Sequence, residues 1–256
     1  MTPDGAAVYG RALRALTDAS VPFLLGGAWA MARHAGVCRY TKDIDLFVRP
    51  EDLNRVLVAL DDFGFRTEVM NPTWLGKAWY EEHFVDVIFS SGNGIATVDD
   101  AWFDHAEEGD ALGQRVMFCP VEETIWSKSW IMERERFDGA DVNHLMRACG
   151  PTMDWQRLLD RFGEHWRVLY AHLVLFGYVY PGERGRIPAW VMRDLTDRLE
   201  AENRATPTGE RLCRGPLLSK QYAHDLQELG YAGPDLNPSP TPLAPNAANR
   251  TSRRRG

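Results

Sequence analysis

Asp43 and Asp45 open the run Asp43-Ile-Asp-Leu-Phe-Val48, and two acids spaced that way in an apolar segment constrain the chain more than any other feature. In a strand, successive side chains point to opposite faces, so residues two apart share a face. Asp43 and Asp45 therefore project side by side while Ile44 and Leu46 enter a core. Neighbouring carboxylates repel each other unless a cation or a proton lies between them. Oxygen-only ligands in this pattern suit Mg²⁺, which takes one or two carboxylates together with substrate phosphates. Just upstream, Phe23-Leu-Leu-Gly-Gly27 runs an apolar segment into a Gly-Gly turn ahead of helix-compatible residues. A helix N-terminus offers unpaired N–H groups and the positive end of its dipole, so Gly26 and Gly27 form a seat for phosphate. A phosphate seat and a metal seat fall within one strand–helix–strand unit.

The remainder of the first half alternates in the same way. Apolar periodicity predicts a helix over 6–19, a strand over 23–25, a helix over 28–35 and a strand over 43–48. A helix over 53–63 and strands over 65–69 and 77–80 follow, then an apolar strand from His83 to Phe89 and a last strand over 116–119. The His83–Phe89 strand has one acid, Asp86, in its middle. A carboxylate buried there without partners costs several kcal/mol, so it requires a reason. The bland reading is an edge strand with Asp86 facing water. From Pro120 the pattern turns helical, with helices expected over 121–135, 141–149, 155–162, 165–176, 188–201 and 219–229. The expected fold is α/β (α+β): a small mixed sheet flanked by helices, then a helical C-terminal domain. The corresponding divisions are 1–119, 120–231 and 232–256. The last of these, with five prolines from Gly233 onward and almost no large apolar residue, reads as a disordered tail.

Composition excludes several classes. No apolar run approaches the roughly 20 residues that span a bilayer, and Met-Thr-Pro-Asp-Gly lacks the form of a signal peptide. Cys38, Cys119, Cys149 and Cys213 are scattered, with no CxxC pair, so reduced thiols and a cytoplasmic location are expected. Four arginines against Asp235 give the last 25 residues a local +3 of a whole-chain −7, leaving −10 on the remainder. An acidic body argues against a broad nonspecific nucleic-acid surface.

The pattern apolar–Gly26–Gly27, a spacer, then Asp43–Ile–Asp45–Leu resembles the signature of the nucleotidyltransferase superfamily that includes DNA polymerase β. The version Gly26-Gly-Ala-Trp-Ala with Arg39-Tyr-Thr-Lys-Asp-Ile-Asp-Leu is most similar to the antibiotic nucleotidyltransferases and to nucleotidyltransferase-like toxins of abortive-infection systems. The fifteen-residue spacer from 28 to 42 is slightly longer than usual in the superfamily. In the family a third metal-binding aspartate sits on an apolar strand, which Asp86 matches. A family lysine follows the core sheet in a Pro–Glu–x–apolar–x–x–Lys context, matched at Lys128.

The resemblance implies a catalytic and metal-binding set of Asp43, Asp45 and Asp86 holding two Mg²⁺ ions. It implies a nucleotide-binding set of Gly26, Gly27, Lys42 and Lys128. The substrate would be a nucleoside triphosphate such as ATP. A nucleoside monophosphate would pass to an acceptor hydroxyl on a small molecule, an RNA such as tRNA, or a protein, with release of pyrophosphate. The alternative is a catalytically silent nucleotide-binding or toxin–antitoxin protein on the same fold, with a small protein partner. Arg39 is read as a phosphate contact or an acid's partner. Asp138 and Asp141 are read as structural, pairing with arginines and capping the next helix. Trp29 reads as core ahead of a base contact, and no histidine spacing matches a ligand set.

Overall fold

The computed structural model describes residues 3–207 and 209–234. In chain order it contains α1 (Pro3–Asp18), β1 (Leu24–Leu25), α2 (Gly27–Ala35), β2 (Asp43–Phe47), α3 (Leu53–Asp62), β3 (Arg66–Asn71), β4 (Leu75–Tyr80) and β5 (His83–Ile88). There follow α4 (Asp100–Asp104), β6 (Glu107–Ala111), β7 (Gln114–Phe118), α5 (Val121–Lys128), α6 (Gly139–Cys149), α7 (Trp155–Phe162), α8 (Trp166–Val179), α9 (Ala189–Arg204) and α10 (Ala223–Gln227). Short 3₁₀ turns punctuate these elements. The tail expected over 232–256 lies, from residue 235 on, outside the described residues.

The strands form one seven-stranded mixed sheet in the order β3-β4-β5-β2-β1-β7-β6. Strands β2 and β5 are parallel, as are β1 and β7, and the other pairs are antiparallel. The alternation read from the sequence is realised: Ile44 and Leu46 are fully buried, and Asp43 and Asp45 share the opposite face. Strand β5 lies inside the sheet between β4 and β2, so Asp86 is not on an edge.

One face of the sheet packs on α1 and α3. Its core is drawn from residues between Val8 and Phe118 and includes Leu13, Leu16, Ile44, Leu46, Val56, Leu60, Val85 and Val87. Helix α3 places Leu53, Val56, Leu57 and Leu60 inward at helical spacing and stops before Gly64, where φ is 87°. The other face looks toward the C-terminal helices. Leu24, Met31 and Trp102 join Ile125, Leu145, Leu158, Phe176 and Leu195 in a second core that reaches Leu217. Phe47, two residues past Asp45, stacks on Trp102 with ring centroids 5.2 Å apart. Asn93 adds a long-range tie, its Nδ2 donating to the carbonyl of Leu217 at 2.8 Å.

Two expectations are corrected. The helix expected over 121–135 ends at Lys128, and the chain then turns through a bridge between Met132 and Phe137. The helix expected over 219–229 is a 3₁₀ turn at Lys220–Tyr222 followed by the short α10. Strand β6, Glu107–Ala111, had no counterpart among the expected elements; it pairs with β7 on the sheet's outer edge, and Arg33 of α2 donates to the carbonyl of Glu108 at 3.2 Å.

Candidate active site

The interior strand β1, between β2 and β7, is only two residues long, yet it delivers the chain into the turn that organises the site. The N–H of Gly26 donates to the carbonyl of Asp45 at 2.9 Å, tying the turn to the neighbouring strand. Gly27 begins α2 with φ of 51°, in the left-handed region where glycine is favoured. A Cβ there would lie 1.7 Å from Asp45 Oδ2, so the absent side chain lets the carboxylate abut the helix N-terminus. That terminus carries N–H groups without partners inside the helix.

Register completes the cluster. Asp45 pairs with Asp86 across β2 and β5, and Asp43 lies two residues earlier on the same face. One carboxylate oxygen of each of Asp43, Asp45 and Asp86 lies within 4.8 Å of the others, an all-oxygen set that fits a hard divalent cation. Asp45 is pushed up to about 7, first by burial and then by the negative charges of Asp43 and Asp86, against the opposing pull of Lys128 and Arg136. Burial also raises Asp86, with Lys77 acting the other way and Asp43 adding to the rise. Like charges gathered in a poorly solvated place hold protons or cations.

The surroundings fix this geometry. Thr41 Oγ1 donates to the side chain of Asp43, and also to its backbone carbonyl at 3.1 Å. Tyr9 of α1, almost wholly buried, donates its hydroxyl to the carbonyl of Lys42 at 2.6 Å and meets the His83 ring edge-on at 5.8 Å. It thereby ties the start of β2 to the start of β5. Burial, followed by the charges of Asp43 and Tyr40, pushes the Tyr9 hydroxyl up to about 12, so it stays a donor.

Lys128 is no solvated helix lysine. Its side chain is 13% exposed, and Nζ lies 2.9 Å from Asp138 Oδ2 and 2.8 Å from Asp141 Oδ2. Arg136 makes two 3.0 Å hydrogen bonds to Asp138, and Arg39 reaches Asp141 at 2.6 Å. Burial would raise Asp138, but Arg136 and Lys128 outweigh it and hold the carboxyl below its usual range. Arg39, Asp141, Lys128, Asp138 and Arg136 thus form a continuous charged chain from the loop before β2 to the helical half. The side chain of Lys42 is exposed; the contact it makes is through its backbone carbonyl. Trp29 packs against the sheet core and borders an open depression of about 190 Å³ with Ala28, Ala32, Cys38, Arg39 and Thr41.

Sequence reasoning did not single out Lys77, whose Nζ lies 2.9 Å from Asp86 Oδ1. The signal was present: β4 and β5 flank the pair Glu81-Glu82, with Tyr80 opposite His83, and counting three residues back and three forward sets Lys77 opposite Asp86. Arg136, one residue past the helix expected over 121–135, was not singled out either.

Comparison with solved structures gives likenesses at low identity. The solution structure of the antibiotic-resistance factor ANT(2'')-Ia is 19% identical, covering 70% of this chain and 99% of that one, with a TM-score of 0.48. The lincosamide antibiotic adenylyltransferase LnuA, bound to lincomycin, is 18% identical over 57% of this chain and 96% of that one, with a TM-score of 0.40. JHP933 from Helicobacter pylori is 13% identical over 79% and 98%, with a TM-score of 0.38. No curated protein matches the chain. Residues 10–90, the segment that carries the Gly-Gly turn and all three aspartates, match the model of the aminoglycoside-2''-adenylyltransferase family.

Proposed function

We propose that this chain is a nucleotidyltransferase that moves a nucleoside monophosphate from a nucleoside triphosphate to a hydroxyl of a small-molecule acceptor. The observation that carries the reading is the meeting of three carboxylates with the N-terminus of α2 at Gly27. The family match over the same residues supports it.

In this reading the first-turn N–H groups of α2 cradle the triphosphate. Asp43, Asp45 and Asp86 would hold magnesium, which when bound supplies positive charge to the phosphates and lowers the pKa of the acceptor hydroxyl. Lys128 and Arg136, close enough to Asp45 to act on its charge, neutralise the leaving pyrophosphate. Asp86, raised by burial, takes the proton of the acceptor hydroxyl. The acceptor oxygen bonds to the α-phosphorus as the bond from that phosphorus to the bridging oxygen breaks, and pyrophosphate leaves. The acidic body favours a cationic acceptor, because local negative charge concentrates amines near the cleft.

The test is pyrophosphate release from each NTP in Mg²⁺, with a panel of aminoglycoside and lincosamide acceptors, tRNA, and no acceptor. Release with one small-molecule class, reduced at least about 100-fold in Asp43→Asn, is expected from the loss of a charge-stabilising ligand. Release unaffected by Asp43→Asn sinks the assignment of the carboxylates, and release with tRNA alone moves the acceptor to RNA. Silence with every acceptor favours a nucleotide-binding role.

A further inference from the structure

The carboxylate face carries a cation of its own. Lys77 on β4 is in register with Asp86 on β5, which is in register with Asp45 on β2, so the three residues form a row across adjacent strands. The Lys77 ammonium lies 2.9 Å from Asp86 Oδ1, with the two side chains 20% and 18% exposed. It also sits 4.0 Å from the centroid of the Phe84 ring, two residues before Asp86. Phe84 thus helps hold the ammonium in place beside the acid. Among the described residues, no other ion pair reaches Asp43, Asp45 or Asp86.

We propose that Lys77 is a resident counter-ion of the cluster, holding one oxygen of Asp86 and limiting how tightly the three carboxylates bind a divalent cation. The inference rests on the metal-binding reading of the site given above. Its physical basis is charge. With all three carboxylates ionised, as a bound cation requires, Lys77 brings their formal charge from −3 to −2. An ammonium at this distance also repels any cation that approaches the same oxygens. Without it, three crowded carboxylates would bind a free ion strongly and retain it after pyrophosphate had left. With it, affinity for the bare ion is held down, and occupancy depends on the additional oxygens that a triphosphate brings. When no ion is present, the same ammonium relieves repulsion that would otherwise load the fold. Lys77 is therefore a positioning residue, acting through Asp86 and not on the reacting atoms.

The experiment is calorimetric titration of the full chain with Mn²⁺ in the absence of nucleotide, on wild type, Lys77→Met, Lys77→Arg and Asp43→Asn. Lys77→Met keeps an apolar stem against Phe84 and removes the charge. It should bind Mn²⁺ about ten-fold more tightly, melt at a lower temperature than wild type in chelator, and regain the difference when Mn²⁺ is added. Lys77→Arg should stay within about two-fold of wild type. A folded Lys77→Met with unchanged or weaker Mn²⁺ affinity overturns the proposal, because a purely structural strut would not tighten binding when removed. If Lys77→Met fails to fold, Lys77→Gln makes the same comparison. A wild type that takes up no Mn²⁺ overturns both the metal reading and this inference. A wild type that binds Mn²⁺ but releases no pyrophosphate with any acceptor refutes the activity alone.

Discussion

Replacing Gly27 with alanine isolates what the Gly-Gly turn contributes. Two costs arise, and they are separable. The first is conformational: at φ of 51°, a residue with a Cβ pays about 1–2 kcal/mol for the left-handed region. In a chain of this size that amounts to a fall of roughly 2–8 °C in melting temperature. The second is steric: the new Cβ would lie 1.7 Å from Asp45 Oδ2, where real contacts do not fall below 3.0 Å. Helix and carboxylate must therefore part by more than an ångström, and a misplacement of that order costs about 100-fold in rate. Gly36 supplies the control. It ends α2 with φ of 66°, and a methyl group placed on it would meet nothing within 4 Å, so Gly36→Ala pays the conformational cost alone. Pyrophosphate release and thermal melting, measured on both variants, read the two costs. The expected result is similar melting for the pair, with activity lost only in Gly27→Ala. Full activity in Gly27→Ala would refute the claim that Asp45 is positioned by its contact with the helix N-terminus.

Other outcomes follow from the same geometry. Metal-free stability should fall as pH rises between about 4 and 7: unfolded Asp45 ionises near 3.8, whereas the folded group holds its proton up to about 7, so the folded chain carries the extra proton across that window. The ceiling of the effect is about 4 kcal/mol, and denaturant titrations in chelator should show the slope in wild type and a flatter dependence in Asp45→Asn. Glu123 is fully buried and bonds both Arg157 and Arg161, so Glu123→Ala leaves two guanidinium groups short of a partner and should cost about 3–5 kcal/mol in chemical denaturation. Tyr9→Phe removes the hydrogen bond to the Lys42 carbonyl at a cost of about 1 kcal/mol. It should lower kcat with little change in the KM for nucleotide, and an equal loss from a surface variant of similar stability would argue against a role in placing Asp43.

What the sequence disclosed was the part whose geometry is local. Period-two alternation placed Asp43 and Asp45 on one face, and the apolar context of Asp86 identified a strand that proved to be interior and beside them. The family resemblance carried by those residues is matched over 10–90. What stayed hidden depended on partners distant in the chain. Glu122 and Glu123 fall in the first turn of α5, where acids suit the helix dipole, yet they are buried against Arg157, 35 and 34 residues later, and Arg161. Helix α5 stops at Lys128 because the following segment is used elsewhere: Glu133 accepts from the Ser219 hydroxyl at 2.9 Å and from the Lys220 N–H at 3.1 Å. Strand β6 is acidic and exposed, without the apolar alternation that marks a strand, and Arg115 of β7 pairs with its Glu108.

The two cores differ in how much of the chain each must wait for. The one beneath α1 and α3 draws on nothing beyond Phe118, so it can close once that residue has left the ribosome. The one over the carboxylate face needs residues as late as Leu217, and the tie from Asn93 ends there too. Synthesis at roughly 5–20 residues per second therefore leaves the carboxylate face uncovered for several seconds after the opposite face has packed. Among the described residues, the sheet face that carries the carboxylates is therefore covered later than the face beneath α1 and α3.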